Sequence, residues 1–219
     1  MSYNLDATKA RQSESGGRFI KDAGKYVGQF TRAEKIVSKG GAMGIEFDFS
    51  DGSKSCTVTI WTHGKDGAEL FGLNAISALM TVMRLKTMSE LPQMVKKYIY
   101  ADKAEKTVQA LVYADLMSKP VGVLVQMEQY LNGNGELRVK PAFFCFFDAK
   151  SELIATEILD RVVAPKELEQ KMAYVMDYPE KELSKKDKAK LTERAREMHY
   201  TPQQSQPVSG DSFDDDIPF

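Results

Sequence analysis

Histidine and cysteine are nearly missing from this chain, with two of each among 219 residues. His63 and His199 stand far apart, so a histidine-based metal site or catalytic dyad is not expected. Cys56 and Cys145 fall inside strand-like segments rather than in spaced clusters. They read as small buried hydrophobes in a reducing compartment, not as a disulfide or zinc framework. No apolar run reaches the eighteen or so residues of a membrane span. The opening residues lack the pattern of a signal peptide, and a cytosolic protein is expected. A phosphate-binding loop is missing too, because Gly40-Gly41-Ala42-Met43-Gly44 lacks the following lysine and hydroxyl. Acidic pairs such as Glu46 with Asp48, or Asp102 with Glu105, have no third ligand or histidine partner. The sequence therefore predicts no enzyme, no metal and no cofactor.

Net charge is also scarce, at −1, but it is segregated. Residues 211–219 carry four aspartates and a formal −4, which leaves +3 on residues 1–210. Partners feel such parts separately once they lie beyond a Debye length of roughly 8 Å. The 42% of hydrophobic residues is enough to fill a core.

Residues 1–22, rich in Ser, Lys, Arg and Gly, read as a flexible lead-in. From Gly24 a sheet pattern begins and continues to Val37, followed by a turn at Lys39-Gly40-Gly41. Ile45, Phe47 and Phe49 alternate with Glu46 and Asp48, the period of a half-buried strand. Asp51-Gly52 signals a hairpin, and Cys56 to Thr62 forms the returning strand. The period then changes: Leu70, Leu73, Ile76, Met80 and Met83 recur at helical steps. Residues 92–116 fit either a short helix or an extra hairpin. Strand character returns from Pro120 to Tyr130, turns at Asn132-Gly133-Asn134-Gly135, and runs back from Leu137 to about Phe147.

A three-strand meander, a helix and a hairpin follow the element order of the OB-fold, a five-stranded Greek-key barrel. The expected fold is thus mainly β with flanking helices, an OB barrel over residues 23–160. Residues 161–198 form a C-terminal helical extension, where Pro165 precedes Leu168, Met172 and Val175, and Ser184 with Asp187 has capping-box spacing. Its second helix carries Lys185, Lys186, Lys188, Lys190, Arg194 and Arg196, read as a solvated face or as more binding surface. Residues 199–219 form a disordered linker and acidic tip.

A barrel of this kind without catalytic equipment binds a ligand, often an oligonucleotide. Single strands need cations for phosphates and aromatic faces for bases. If Val58 and Ile60 are core, Trp61 lies on the outer face, for stacking or for packing under a loop. On the last strand Arg138, Lys140, Phe144 and Phe146 share one parity, opposite Leu137, Val139, Phe143, Cys145 and Phe147. The first set has the interleaving of a stacking groove, although Phe144 and Phe146 equally suit packing beneath the C-terminal helices. Tyr130 extends the platform. Arg32, Lys35, Lys39 and Lys54 are candidates for an electrostatic wall, or else ordinary solvated cations.

The chain closes on Asp214-Asp215-Asp216-Ile217-Pro218-Phe219. Adjacent carboxylates, a proline without an amide donor and an exposed Phe make a poor element of any fold. They make a good docking peptide: a basic rim holds Asp214, Asp215 and Asp216, a pocket takes Phe219, and Ile217 and Pro218 add apolar contact. The wording resembles the tip of bacterial single-stranded DNA-binding proteins, an Asp-rich run followed by Ile-Pro-Phe, and Asp211 and Phe213 continue its flavour. That resemblance implies docking to replication, recombination and repair enzymes. Over residues 24–148 the body resembles phage-encoded single-stranded DNA-binding proteins of the OB-fold type. The shared features are Gly24-Lys25-Tyr26, Lys39-Gly40-Gly41, Asp51-Gly52 and Lys119-Pro120-Val121. It implies a sequence-independent binder of single-stranded DNA in a bacterial host cytosol, with possible self-association and no membrane partner. The bacterial tetramer and its stacking tryptophans are not carried over. Two other classes stay open: a nuclease or strand-annealing recombinase that borrowed the tip, and an adaptor whose barrel binds protein.

Overall fold

The alternating segments form one open, mainly antiparallel sheet in the computed structural model, which describes residues 18–99 and 102–199. In chain order the elements are β1 (Gly24–Val37), β2 (Met43–Ser50), β3 (Ser55–His63), α1 (Gly72–Val82), β4 (Leu91–Ile99) and β5 (Ala104–Val112). A short 3-10 turn (Ala114–Leu116) leads to β6 (Pro120–Leu131), β7 (Leu137–Phe147), α2 (Ala155–Leu159), α3 (Glu167–Asp177), β8 (Glu180–Lys181) and α4 (Lys185–His199). The protein is mainly β. Contacts divide the chain into two units, Met1–Glu182 and Leu183–Phe219. In the second, Ser184 Oγ accepts the Asp187 N–H at 3.1 Å and donates to its carboxylate at 2.7 Å, capping α4 as its spacing predicts.

β1 pairs with three strands, chiefly along two long ladders. Its later half pairs with β2, from Gln29↔Ser50 to Val37↔Met43, and its first half pairs with β6, from Gly24↔Val125 to Gln29↔Pro120. Gly28 stands where the ladders meet, and a Cβ there would lie 2.1 Å from the Ser50 carbonyl oxygen. Only glycine lets the backbones approach so closely. β2 continues to β3 through a turn in which Asp51 Oδ1 accepts the N–H groups of Ser53 and Lys54. Gly52 supplies that turn's positive φ of 93°.

One apolar cluster fills the concave side of the sheet. Phe30, Phe47 and Phe49 are fully buried, and Phe30 and Phe47 sit with ring centroids 4.8 Å apart. Val58, Val121, Val123, Val125 and Phe146 complete it from β3, β6 and β7. α1 contributes Ile76, Leu79 and Val82, so its buried stripe is rotated from the expected one; Met80 and Met83 are only partly covered. Residues 92–116 resolve as a hairpin, β4–β5, which joins the sheet beside β1 at Glu34↔Val112. No described helix is long and apolar enough to cross a membrane.

A second cluster of Phe147, Ile154 and Leu168 holds α3 against the other face of β7. Its polar centre is Glu157, only 2% exposed. Its carboxylate accepts the N–H groups of Ile154 (3.1 Å), Lys166 (2.6 Å) and Glu167 (3.0 Å), which caps α3. Burial alone would raise its pKa, but these three donors reverse the effect and hold it below the usual carboxylate range.

Two stability outcomes follow. Gly28→Ala is expected to lower unfolding free energy by about 1–3 kcal/mol in urea titration, as overpacking does. Gly133→Ala, where a Cβ meets open space, is expected to stay within about 0.5 kcal/mol of wild type. For Glu157 the folded pKa is depressed, so its contribution is present above the unfolded value of about 4.3 and is lost as pH falls through the folded value. Glu157→Gln should therefore be less stable at neutral pH and show a shallower acid limb in pH-dependent melts.

Candidate nucleic-acid interface

β3 alternates as its sequence requires, with Cys56 and Val58 inside and Thr57 and Trp61 outside. Trp61 is 38% exposed, and its ring lies over Gly44, where a Cβ would meet it at 3.0 Å. The ring therefore packs close to bare backbone and is partly exposed. Burial pushes the Cys56 thiol up to about 12, and Cys145 is raised to about 11 by the same cause, so neither is a nucleophile at neutral pH.

Arg32 corrects an expectation. It is 4% exposed and lies on the outer face of β1 among three carboxylates. Its Nε and Nη2 donate to Asp48 at 2.7 and 3.0 Å, Nη2 also to Glu46 at 2.7 Å, and Nη1 to Glu34. Glu34 in turn takes Lys97 of β4 at 2.6 Å, tying the β4–β5 hairpin to the body. Burial by itself would lower the guanidinium pKa, but the hydrogen bonds and charges of Asp48 and Glu46 raise it above its ordinary value. Glu46 and Asp48, the acidic pair of β2, are engaged by this guanidinium. Beside the network lies a cleft of about 580 Å³ lined by Arg32, Glu46, Asp48, Thr57, Lys97 and Tyr98. Around that cleft Arg32, Lys96 and Lys97 face Glu46, Asp48 and Glu105, so its lining carries no positive surplus for phosphate.

The rest of the predicted wall is not assembled either. Lys35 is bound by both oxygens of Glu90, at 2.7 and 2.9 Å, and Glu90 also accepts from Tyr113. Tyr113 is pushed up to about 12 by burial and by that carboxylate. Lys39 and Lys54 belong to the turns at opposite ends of β2, whose eight residues span roughly 26 Å. Four cations close in sequence thus become one buried, one paired and two distant.

The β6–β7 ribbon does bring predicted residues together. Tyr130 pairs across the ladder with Arg138, and Glu128 with Lys140, all on the outer face. Lys140 Nζ stands 5.3 Å from the centre of the Tyr130 ring, a cation–π contact. Arg138 bonds Glu136 at 2.8 Å, while Glu128 serves both Lys181 at 3.4 Å and Lys140 at 3.9 Å. The Arg138 and Lys140 side chains are more than half exposed, at 59% and 53%, so these pairs are weak and open to exchange with a phosphate.

Further along β7 the parity reading fails, because a β-bulge shifts the register: Leu124 faces Cys145, but Val125 faces Phe143. Phe143 and Phe146 consequently share the core side, with centroids 5.6 Å apart, and Phe146 is 3% exposed. Phe146 is a core residue, not part of a groove. Phe144 lies outside the core cluster, stacked on Tyr174 of α3 at 5.6 Å and 27°. Tyr174 and Tyr178 were missed. The available signal was their i, i+4 spacing off the Leu168, Met172, Val175 stripe, which places two rings together on a non-core face.

Asp214, Asp215, Asp216, Ile217, Pro218 and Phe219 lie outside the described residues, as does the linker before them. Compared with protein-family models and with curated proteins, the chain matches none.

The Arg32 network yields a direct test. Arg32→Met should destabilise the protein by about 3–5 kcal/mol in chemical denaturation, because three carboxylates lose their common partner. Arg32→Lys should recover only part of this, since one ammonium cannot fork to three acceptors.

Proposed function

We propose that this chain is a non-enzymatic, sequence-independent single-stranded DNA-binding protein of the phage-encoded kind. In this reading β1, β2, β3, β6 and β7 are the five strands of an OB-type barrel, left open between β3 and β7, with β4–β5 inserted before the fourth barrel strand. The strand order β3-β2-β1-β6-β7, the bend of β1 between two partners and α1 between the third and fourth strands support it. The observation that carries the functional reading is the outer face of β6–β7, where Tyr130, Arg138 and Lys140 interleave ring and cation with their polar ends in water. Exposed cations track phosphates, and ring faces accept any base. The chain's end supports it independently: residues 214–219 have the form of a peptide that recruits replication, recombination and repair enzymes in a bacterial cytosol.

On this mechanism the protein sequesters unpaired strands against reannealing while the tip delivers processing enzymes. Titrating the full chain with labelled oligothymidine should show binding whose logarithm falls linearly with that of salt. Arg138→Ala with Lys140→Ala should weaken it and reduce the salt slope by about 1.4, two phosphate contacts at ~0.7 each for a single strand. Absence of binding even in dilute buffer would remove the proposal.

A further inference from the structure

Three aromatic rings stand in a row on the surface where β7 meets α3. Phe144 stacks on Tyr174 at 5.6 Å, and Tyr174 meets Tyr178 at 5.1 Å and 36°. They are 38%, 51% and 60% exposed, so each ring of the row is partly in water. Rings that served only to fasten α3 would be covered, as Leu168 and Val175 on the same helix are. The Tyr178 end is rigidly placed, because the buried Gln126 of β6 donates to the Tyr178 carbonyl at 2.6 Å.

The row continues a surface already described. Outward-facing positions on β7 run from Arg138 through Lys140 to Phe144, six residues or roughly 20 Å of strand. Lys181 of β8 lies beside β6 at Glu128, next to Lys140. Glu128 serves both lysines and Glu136 pairs with Arg138, so this stretch holds three weakly paired cations between Tyr130 at one end and the three rings at the other. On the β1–β3 face, by contrast, Arg32 and Lys97 are held in the carboxylate network and Lys35 is held by Glu90.

We infer that Phe144, Tyr174 and Tyr178 form a base-stacking platform, and that a single strand of nucleic acid lies along the outer face of β6–β7, its phosphates passing Arg138, Lys140 and Lys181. This rests on the proposed single-strand binding and locates it away from the face around β2 and β3. A tyrosine row flanked by lysines suits a ligand that is both flat-ringed and anionic. A purely apolar protein patch would have no use for exposed, weakly paired cations beside it.

The test is fluorescence anisotropy of the full chain with labelled oligothymidine over a salt series, together with photocrosslinking of a bromouracil-substituted strand to the wild type. Tyr174→Ala and Tyr178→Ala should each weaken binding roughly tenfold, within the range for loss of one stacked base. The salt slope should not change, because no phosphate contact is removed. Tyr174→Phe with Tyr178→Phe should bind like wild type, and crosslinks should map to Tyr174 or Tyr178. Wild-type binding that survives both alanine changes, or crosslinks confined to Trp61 and its neighbours, overturns the platform and leaves single-strand binding standing. Failure of the wild type to bind any oligothymidine overturns both. Crosslinking to the unmodified protein keeps the answer independent of whether the variants fold.

Discussion

A single long strand shared between two ladders sets the geometry of the whole first unit. β1 pairs with β2 along its later half and with β6 along its first, and a β-bulge between Phe30 and Arg32 interrupts the β2 register. Gly28 lets the backbone of Ser50 come close where the two ladders meet. This pairing gives Phe30, Phe47 and Phe49 a common interior and lets β6 and β7 wrap toward it. It also fixes which surfaces are left over. The outer side of β1 and β2 meets the β4–β5 hairpin through Arg32, Glu34 and Lys97, whereas Arg138 and Lys140 on the outer side of β6–β7 are more than half exposed.

Electrostatics around Arg32 then decide which cations are available to a ligand. Arg32 is desolvated and satisfied by Glu34, Glu46 and Asp48, and an arrangement of that kind contributes organisation more than net stability. Its value lies in orienting three carboxylates that would otherwise repel and in linking them, through Lys97, to the hairpin. A positive residue in sequence is thus not a positive surface. The cations of β6–β7 differ because their partners are exposed and shared, so an incoming phosphate displaces little.

Much of the architecture was legible before any coordinates. Ile45, Phe47 and Phe49 point inward as their alternation requires, Asp51-Gly52 and Asn132-Gly133-Asn134-Gly135 turn where their backbone chemistry says they must, and Ser184 caps α4. Tyr130 with Arg138 and Lys140 was likewise readable, because a two-residue period carries across a ladder with a regular turn. Phe146 was not, since one extra residue in the bulge inverts the side chains beyond it and leaves no mark in composition. Phe144 stays off the core and packs on α3, one of its two expected places. The hairpin of residues 92–116 was ambiguous for a related reason: Lys96, Lys97 and Lys106 dilute its apolar alternation, and it is tied to Glu34, far away in sequence, through Val112 and Lys97.

The sequence alone therefore determined what local rules control: the strand and turn pattern, the buried face of β2, the caps, the segregation of charge and the wording of the terminal hexapeptide. Tertiary structure decided which charges meet and which rings are left in water, because burial of Arg32, the bulge at Phe144 and the stacking of Tyr174 on it each depend on residues distant along the chain. Periodicity reports a residue's side of its own strand. Only packing reports what stands on the other side.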